Sequence, residues 1–353
     1  MRLGSYTQGR DNNIQLLRFL SAAGVIVFHS YALSGHINDD PVWRATNDTN
    51  FGALGVRCFF VLSGFLVTQS WLRAPRLPAF AAARVLRVYP ALFAAVALTI
   101  LLAGLSVPLA WSDFLSDPTT IDYAWGNALA WQVRYVLPGA FQRNIVAGAS
   151  NGSLWTLPVE LRLYVGVAIA GVAGILARRT LCAAVLAALV AVFVLRPEWL
   201  PLEPDMAIVR EFALLFGLGS LAYVGRATLP LSLAAALGGI VLYVWSPWGI
   251  GRGATATLVL AYTVLVLAYH PWLQWRAYNR VGDYSYGLYL YAFPIQQTIM
   301  SRLHLSPAEL FVLSFLATLV LAAASWHGLE KPALALKSRF HSRTPRGPEA
   351  SRP

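Results

Sequence analysis

The sequence predicts an all-α fold: a polytopic transmembrane bundle of about ten membrane-spanning helices with both termini in the cytoplasm. Three observations lead there. Of the 353 residues, 57% are hydrophobic and 12% are charged, whereas a soluble domain carries roughly 25% charge. Apolar runs of about 20 residues recur along the chain, the length a helix needs to cross a bilayer. The 12 Trp and 15 Tyr suit aromatic belts at the two membrane faces.

The spans read in order as 14–35, 51–71, 81–105, 153–177, 180–196, 206–225, 229–246, 253–270, 283–301 and 309–328. The shorter ones, such as the fifth, need tilt or local thinning of the bilayer. The first helix runs on toward a second with no small-residue cleavage site, so it reads as an uncleaved anchor. Residues 1–330 form one membrane-embedded domain, and 331–353 form a basic cytoplasmic tail of disordered composition. Orientation follows from Lys and Arg. With the N-terminus inside, 17 of the 27 fall in cytoplasmic segments and seven in outer ones, while Arg18, Arg57 and Arg162 lie within spans. This positive-inside bias also explains the net charge of +11, as contact with anionic lipid rather than with nucleic acid.

The first span carries Arg18 and His29, eleven residues apart. Eleven helical steps come to about 1100°, roughly 20° past three full turns, so both side chains share one face about 16 Å apart along the axis. Ionisable groups inside a bilayer are costly and mark functional sites. Counted from the span ends, His29, Arg57 and Glu160 occupy one depth, which predicts mutual pairing around a polar cavity. Glu160 reads as the only acidic residue deep within any span, placed to orient the imidazole of a general base. The structural alternative is a plain Glu160–Arg57 salt bridge. At the opposite face Arg84 and Arg87 are neighbours on the third span, and Arg18 lies at a similar depth. Three guanidiniums around one mouth suit a phosphate-bearing ligand.

Residues 106–152 form a long outer loop containing Trp111, Trp125, Trp131, Asp113, Asp117 and Asp122, a composition that suits either a sugar-binding surface or an interfacial lid. Cys58 and Cys182 fall inside spans, and no metal-ligand spacing is present. There is no Walker loop, no H-E-x-x-H and no G-x-S-x-G elbow. Ser63-Gly64 reads as a close helix–helix contact rather than a nucleophile.

Arg18-x10-His29 resembles the signature of the acyltransferase-3 family, bacterial inner-membrane O-acyltransferases. FFVLSGFLV at 59–67, ARVLRVYPAL at 83–92, NGSLWTLPVELRLY at 151–164, YSYGLYLYAFPIQQ at 284–297 and HGLEKPAL at 327–334 resemble its other segments, in order and over nearly the whole chain. The branch resembled is the one that modifies polysaccharides and related glycans. The resemblance implies a donor, acyl-CoA and most simply acetyl-CoA, held by Arg18, Arg84 and Arg87. It implies catalysis by His29, as general base or as transient acyl carrier, with Glu160 and Arg57 steadying it. Acceptor contacts are expected from Trp155, Tyr164 and Asp122. No permanently bound cofactor and no metal is expected. The function so implied is O-acylation of a cell-surface or lipid-linked glycan at the bacterial inner membrane. The alternatives are a glycan or lipid flippase, which would also use intramembrane charge pairs, and an O-acyltransferase acting on a lipid, peptide or small-molecule hydroxyl.

Overall fold

The computed structural model describes residues 1–7, 9, 11–195, 207–245 and 250–341. The junction of the expected fifth and sixth spans, the end of the seventh and residues 342–353 of the expected tail lie outside the described residues. Ten apolar helices follow the ten expected segments closely. They are α1 (Ile14–Leu33), α2 (Phe51–Arg73), α3 (Leu77–Gly104), α4 (Thr156–Val172), α5 (Arg179–Leu195), α6 (Ala207–Val224), α7 (Leu233–Trp245), α8 (Ile250–Tyr269), α9 (Ser285–Met300) and α10 (Pro307–Ser325). No strand occurs among the described residues, and a single bridge pairs Arg2 with Pro230.

Among the described residues five segments are long and apolar enough to cross a membrane: α1, α2, α3, α4 with its leading turn (Gly152–Val172), and Pro307–Phe340. Parts of α5 and α8 and the whole of α7 are shorter apolar helices. The last long segment exceeds the expected tenth span because α10 continues through a π-helical turn, Trp326–Glu330, into helices Lys331–Ala335 and Ser338–His341. The chain therefore stays helical past 330, and these short helices pack on the start of α3.

Close helix approach is set by glycine, as expected where no hydrophobic effect drives helices together in lipid. The most extensive contacts join α2 to α6 and α1 to α2. A Cβ on Gly64 of α2 would lie 1.9 Å from the Phe216 carbonyl oxygen of α6, and one on Gly219 would lie 2.1 Å from that of Val61. On the other side of α2, a Cβ on Gly55 would lie 2.4 Å from the Ser21 carbonyl oxygen of α1. Gly64 is thus the close contact expected of Ser63-Gly64.

Ion pairing holds a second set of helices. Asp283, just ahead of α9, accepts from Arg18 of α1 at 2.9 Å and from Arg87 of α3 at 2.7 Å. Arg87 also reaches Glu330 in the π-turn at 3.2 Å. The Glu330 side chain is 1% exposed and that of Asp283 10%. Ser285 donates to Asp283 at 2.5 Å and Ser325 to Glu330 at 3.1 Å.

Gly64→Leu is expected to lower the thermal midpoint of the detergent-solubilised protein sharply or to prevent its accumulation, since a clash with backbone has no cheap relief. Gly166→Ala, with nothing within 4 Å of the added atom, should leave the midpoint nearly unchanged. Asp283→Asn removes the carboxylate shared by two arginines and should cost about 3–5 kcal/mol in the same measurement. A midpoint equal to wild type would remove Asp283 from the framework.

Candidate active site

A cavity lies between α1, α2, α3, α4 and α9. It brings together Arg18, Arg84, Arg87, Glu160 and Tyr164, with Ser63, Thr156, Tyr286 and Tyr289 on the same walls. Along α2 it extends from Val56 to Val67, about 16 Å.

The three arginines differ in their partners. Arg18 and Arg87 share Asp283, and Arg87 has Glu330 as well. Arg84 has no carboxylate within ion-pair distance among the described residues. Its Nη2 donates to Ser70 at 3.3 Å, its Nε is buried without a hydrogen-bond partner, and its guanidinium lies 5.5 Å from the Tyr164 ring and 5.7 Å from the Phe80 ring. It is a cation held by a hydroxyl and two aromatic faces, which leaves its charge available to an anion. Beside it, Glu160 accepts from Ser63 at 2.8 Å and from the Tyr164 hydroxyl.

His29 sits elsewhere. Its ring stands edge-on to Phe293 of α9 at 4.9 Å and lies 5.6 Å from Phe28, and its Nδ1 is buried without a hydrogen-bond partner. The neighbouring Phe28 packs on Gly52, where a Cβ would come within 2.7 Å of the ring. Glu160 bonds to Ser63, eleven residues further along α2. Eleven residues span about 16 Å of helix, so the imidazole and the carboxylate do not share one depth and Glu160 does not orient His29. The expected pairing with Arg57 is absent too. Arg57 is held by Glu211 of α6, with Nε 2.8 Å and Nη2 3.0 Å from the two carboxylate oxygens, and donates to Thr49 at 2.6 Å. Glu211, near the start of the sixth expected span, supplies the carboxylate that Glu160 was expected to offer Arg57. The expectation failed because depths counted from span ends ignore how far one helix slides past the next.

The surroundings of His29 follow from a proline. Pro294 inside α9 has no N–H to give the Leu290 carbonyl. The Asn151 side chain supplies that bond at 3.0 Å, while its oxygen accepts from the Ser153 backbone at 3.1 Å. The turn leading into α4 is thereby fastened to α9. Gly152 in that turn touches the Phe293 ring, which a Cβ would approach to 2.6 Å. Tyr286, Tyr289 and Phe293 form one stripe on α9. Tyr286 lies 5.4 Å from the Arg87 guanidinium, Tyr289 bonds to Thr156 at 2.7 Å, and Phe293 meets His29. The stripe runs from the arginines to the histidine. Val56, at the far end of the cavity, is four residues from Gly52, about 6 Å short of the level of Phe28.

Of the expected acceptor residues, Tyr164 lines the cavity. Trp155 packs on Phe212 at 5.5 Å, and Asp122 pairs with Arg134 at 2.5 Å on the exposed loop. Neither lines the cavity. The residues that sequence reasoning missed are Asp283, Glu330 and Glu211. The first two stand at the ends of apolar segments and read as boundary residues. Their signal was three intramembrane arginines facing too few acids, a shortage that calls for carboxylates from the span ends.

The model of an acyltransferase domain matches residues 11–327. An O-acetyl transferase of Shigella phage Sf6 is 28% identical over 340 residues, covering 93% of this chain and 98% of its own. Nodulation protein 10 of Rhizobium leguminosarum bv. viciae is 27% identical over 368 residues, covering 96% and 97%. No solved structure matches. A match over nearly the whole chain means that the chain belongs to the acyltransferase-3 family and is a multi-pass membrane enzyme of the O-acetyltransferase type.

Proposed function

We propose that the protein transfers an acetyl group from acetyl-CoA to a hydroxyl of a cell-surface or lipid-linked glycan at the bacterial inner membrane. The observation that carries this reading is the cavity that begins at three arginines, one of them without a carboxylate partner, and ends about one turn short of His29. Arg84 receives a phosphate of the donor, while Arg18 and Arg87, already neutralised, shape the mouth. The pantetheine arm follows the stripe Tyr286, Tyr289, Phe293 and presents the thioester to His29. His29 takes the acceptor hydroxyl's proton as the oxygen attacks the thioester carbonyl. The C–O bond forms, the C–S bond breaks, and the proton passes to the departing thiolate.

Two carboxylates and a glutamate–tyrosine pair at the donor end keep negative charge away from the reacting histidine. Glu160 then works on the donor side, holding Ser63 and Tyr164 beside Arg84, and is not the partner of the base.

Mass spectrometry of surface glycans tests the reaction. Cells expressing wild type should show an acetyl-sized increment that is absent with correctly inserted His29→Ala; an increment that persists in the variant would end the role of His29. Arg84→Ala should raise the donor concentration for half-maximal rate by about tenfold to a hundredfold, the worth of a charge-assisted hydrogen bond. Glu160→Gln should also raise it while leaving the pH profile of turnover where it was. A displaced profile would return Glu160 to the base.

A further inference from the structure

A second hollow lies on the outside of the bundle, in the cleft between α3 and α4. It is an open groove lined almost wholly by apolar side chains. Leu77 to Tyr89 form one wall and Leu161 to Ala173 the other, each about 18 Å long against a hydrocarbon core of roughly 30 Å. Val85, Val165, Ile169 and Val172 stand exposed along it at 49%, 53%, 64% and 69%. Two features separate the cleft from ordinary lipid-facing surface. Arg84 and Tyr164 line both the cleft and the central cavity, so the cleft borders the donor end of the site. One of its ends is also marked by charge. Trp131 lines that end, and the Arg162 guanidinium lies over the Trp131 ring at 5.2 Å. Arg162 is exposed, six residues into α4, and has no carboxylate within ion-pair distance among the described residues. A guanidinium on the membrane-facing side of a spanning helix calls for an anion, and tryptophan beside it is typical of the headgroup level.

We propose that this cleft seats the hydrocarbon chain of a phosphate-linked lipid that carries the acceptor saccharide, with the phosphate on Arg162 and the chain lying between α3 and α4. The inference rests on the glycan-acceptor reading and names the form in which the acceptor arrives. An acetyl group is too short to need an apolar channel of this length, so the chain belongs to the acceptor side. Anion at one end and apolar walls beyond it match a lipid phosphate followed by its tail. Anchoring the carrier there confines its saccharide to the neighbourhood of the turn Gly152–Trp155, which touches Phe293 and, through it, His29. The enzyme then gains acceptor concentration from the membrane instead of from contacts to the sugar.

The test is photolabelling of the full-length protein in phosphatidylcholine vesicles with a diazirine-bearing long-chain prenyl phosphate, mapped by peptide mass spectrometry. Label should concentrate in 77–89 and 161–173. Arg162→Ala should reduce it about tenfold or more, as should Ala168→Trp, which fills the cleft. Excess phosphatidylglycerol should not displace the probe, whereas unlabelled prenyl phosphate should. Label spread evenly over other helices, or unchanged in both variants, overturns the proposal. So does equal displacement by phosphatidylglycerol, which would make the cleft a site for ordinary anionic lipid. Labelling requires no acetyl transfer, so its failure is distinct from a failure to find acetylated glycan.

Discussion

Two guanidiniums and two carboxylates, closed on one another inside the bundle, hold the rest of the structure in place. A single charge in a bilayer is too costly to keep. An alternating set, Arg18–Asp283–Arg87–Glu330, satisfies each member through its neighbours and loses that balance when any member is removed. The set ties α1, the leader of α9, α3 and the π-turn after α10 to one point. Once α1 and α9 share that point, their contact is set along its length. Gln296 then donates to the Ile26 carbonyl and the Ser30 hydroxyl at 3.0 and 2.8 Å, and Phe293 comes to rest on His29. The register of the histidine is a consequence of charges some 16 Å away along α1.

The same network sorts the arginines by purpose. Those that complete it have little charge left to offer a ligand. Arg84, one turn before Arg87, is left with a hydroxyl and two rings. In the proposed reaction, a site that admits a polyanionic donor and yet persists without it benefits from this division. Framework cations are already neutralised, and one cation waits on aromatic faces that tolerate it at modest cost. In the proposed reaction, the distance between Glu160 and His29 separates a donor end rich in charge from a reacting end built of imidazole, aromatic rings and neutral amides. A similar division governs Arg57, whose bidentate pairing with Glu211 fastens α2 to α6 beside the glycines that let those helices touch.

Much of this was legible in the residues. Apolar length located the long helices among the described residues within a few residues of their bounds, since a helix in lipid satisfies its own backbone and its boundaries depend on local composition. Arg84 and Arg87 on one helix surface needed nothing beyond helical geometry, and Ser63-Gly64 as a close contact needed only the rule that small residues let helices meet. The shared depth of His29, Arg57 and Glu160 was a different kind of claim, because it compared positions on separate helices. Gly55 against Ser21 and Gly64 against Phe216 decide how α2 sits beside α1 and α6, and those contacts place Ser63, with Glu160 on it, well away from the imidazole.

The sequence by itself therefore determined the fold class, the helical segments, the alignment of Arg18 with His29 and the family resemblance, because each depends on spacing within one segment and on a periodicity that backbone hydrogen bonding imposes. Tertiary structure alone decided which acid meets which arginine, that Arg84 is left without one within ion-pair distance among the described residues, and that Arg84 and Tyr164 line both the cavity and the cleft between α3 and α4. Partner choice among buried charges depends on sub-ångström packing between helices far apart in the chain, and no single segment carries that information.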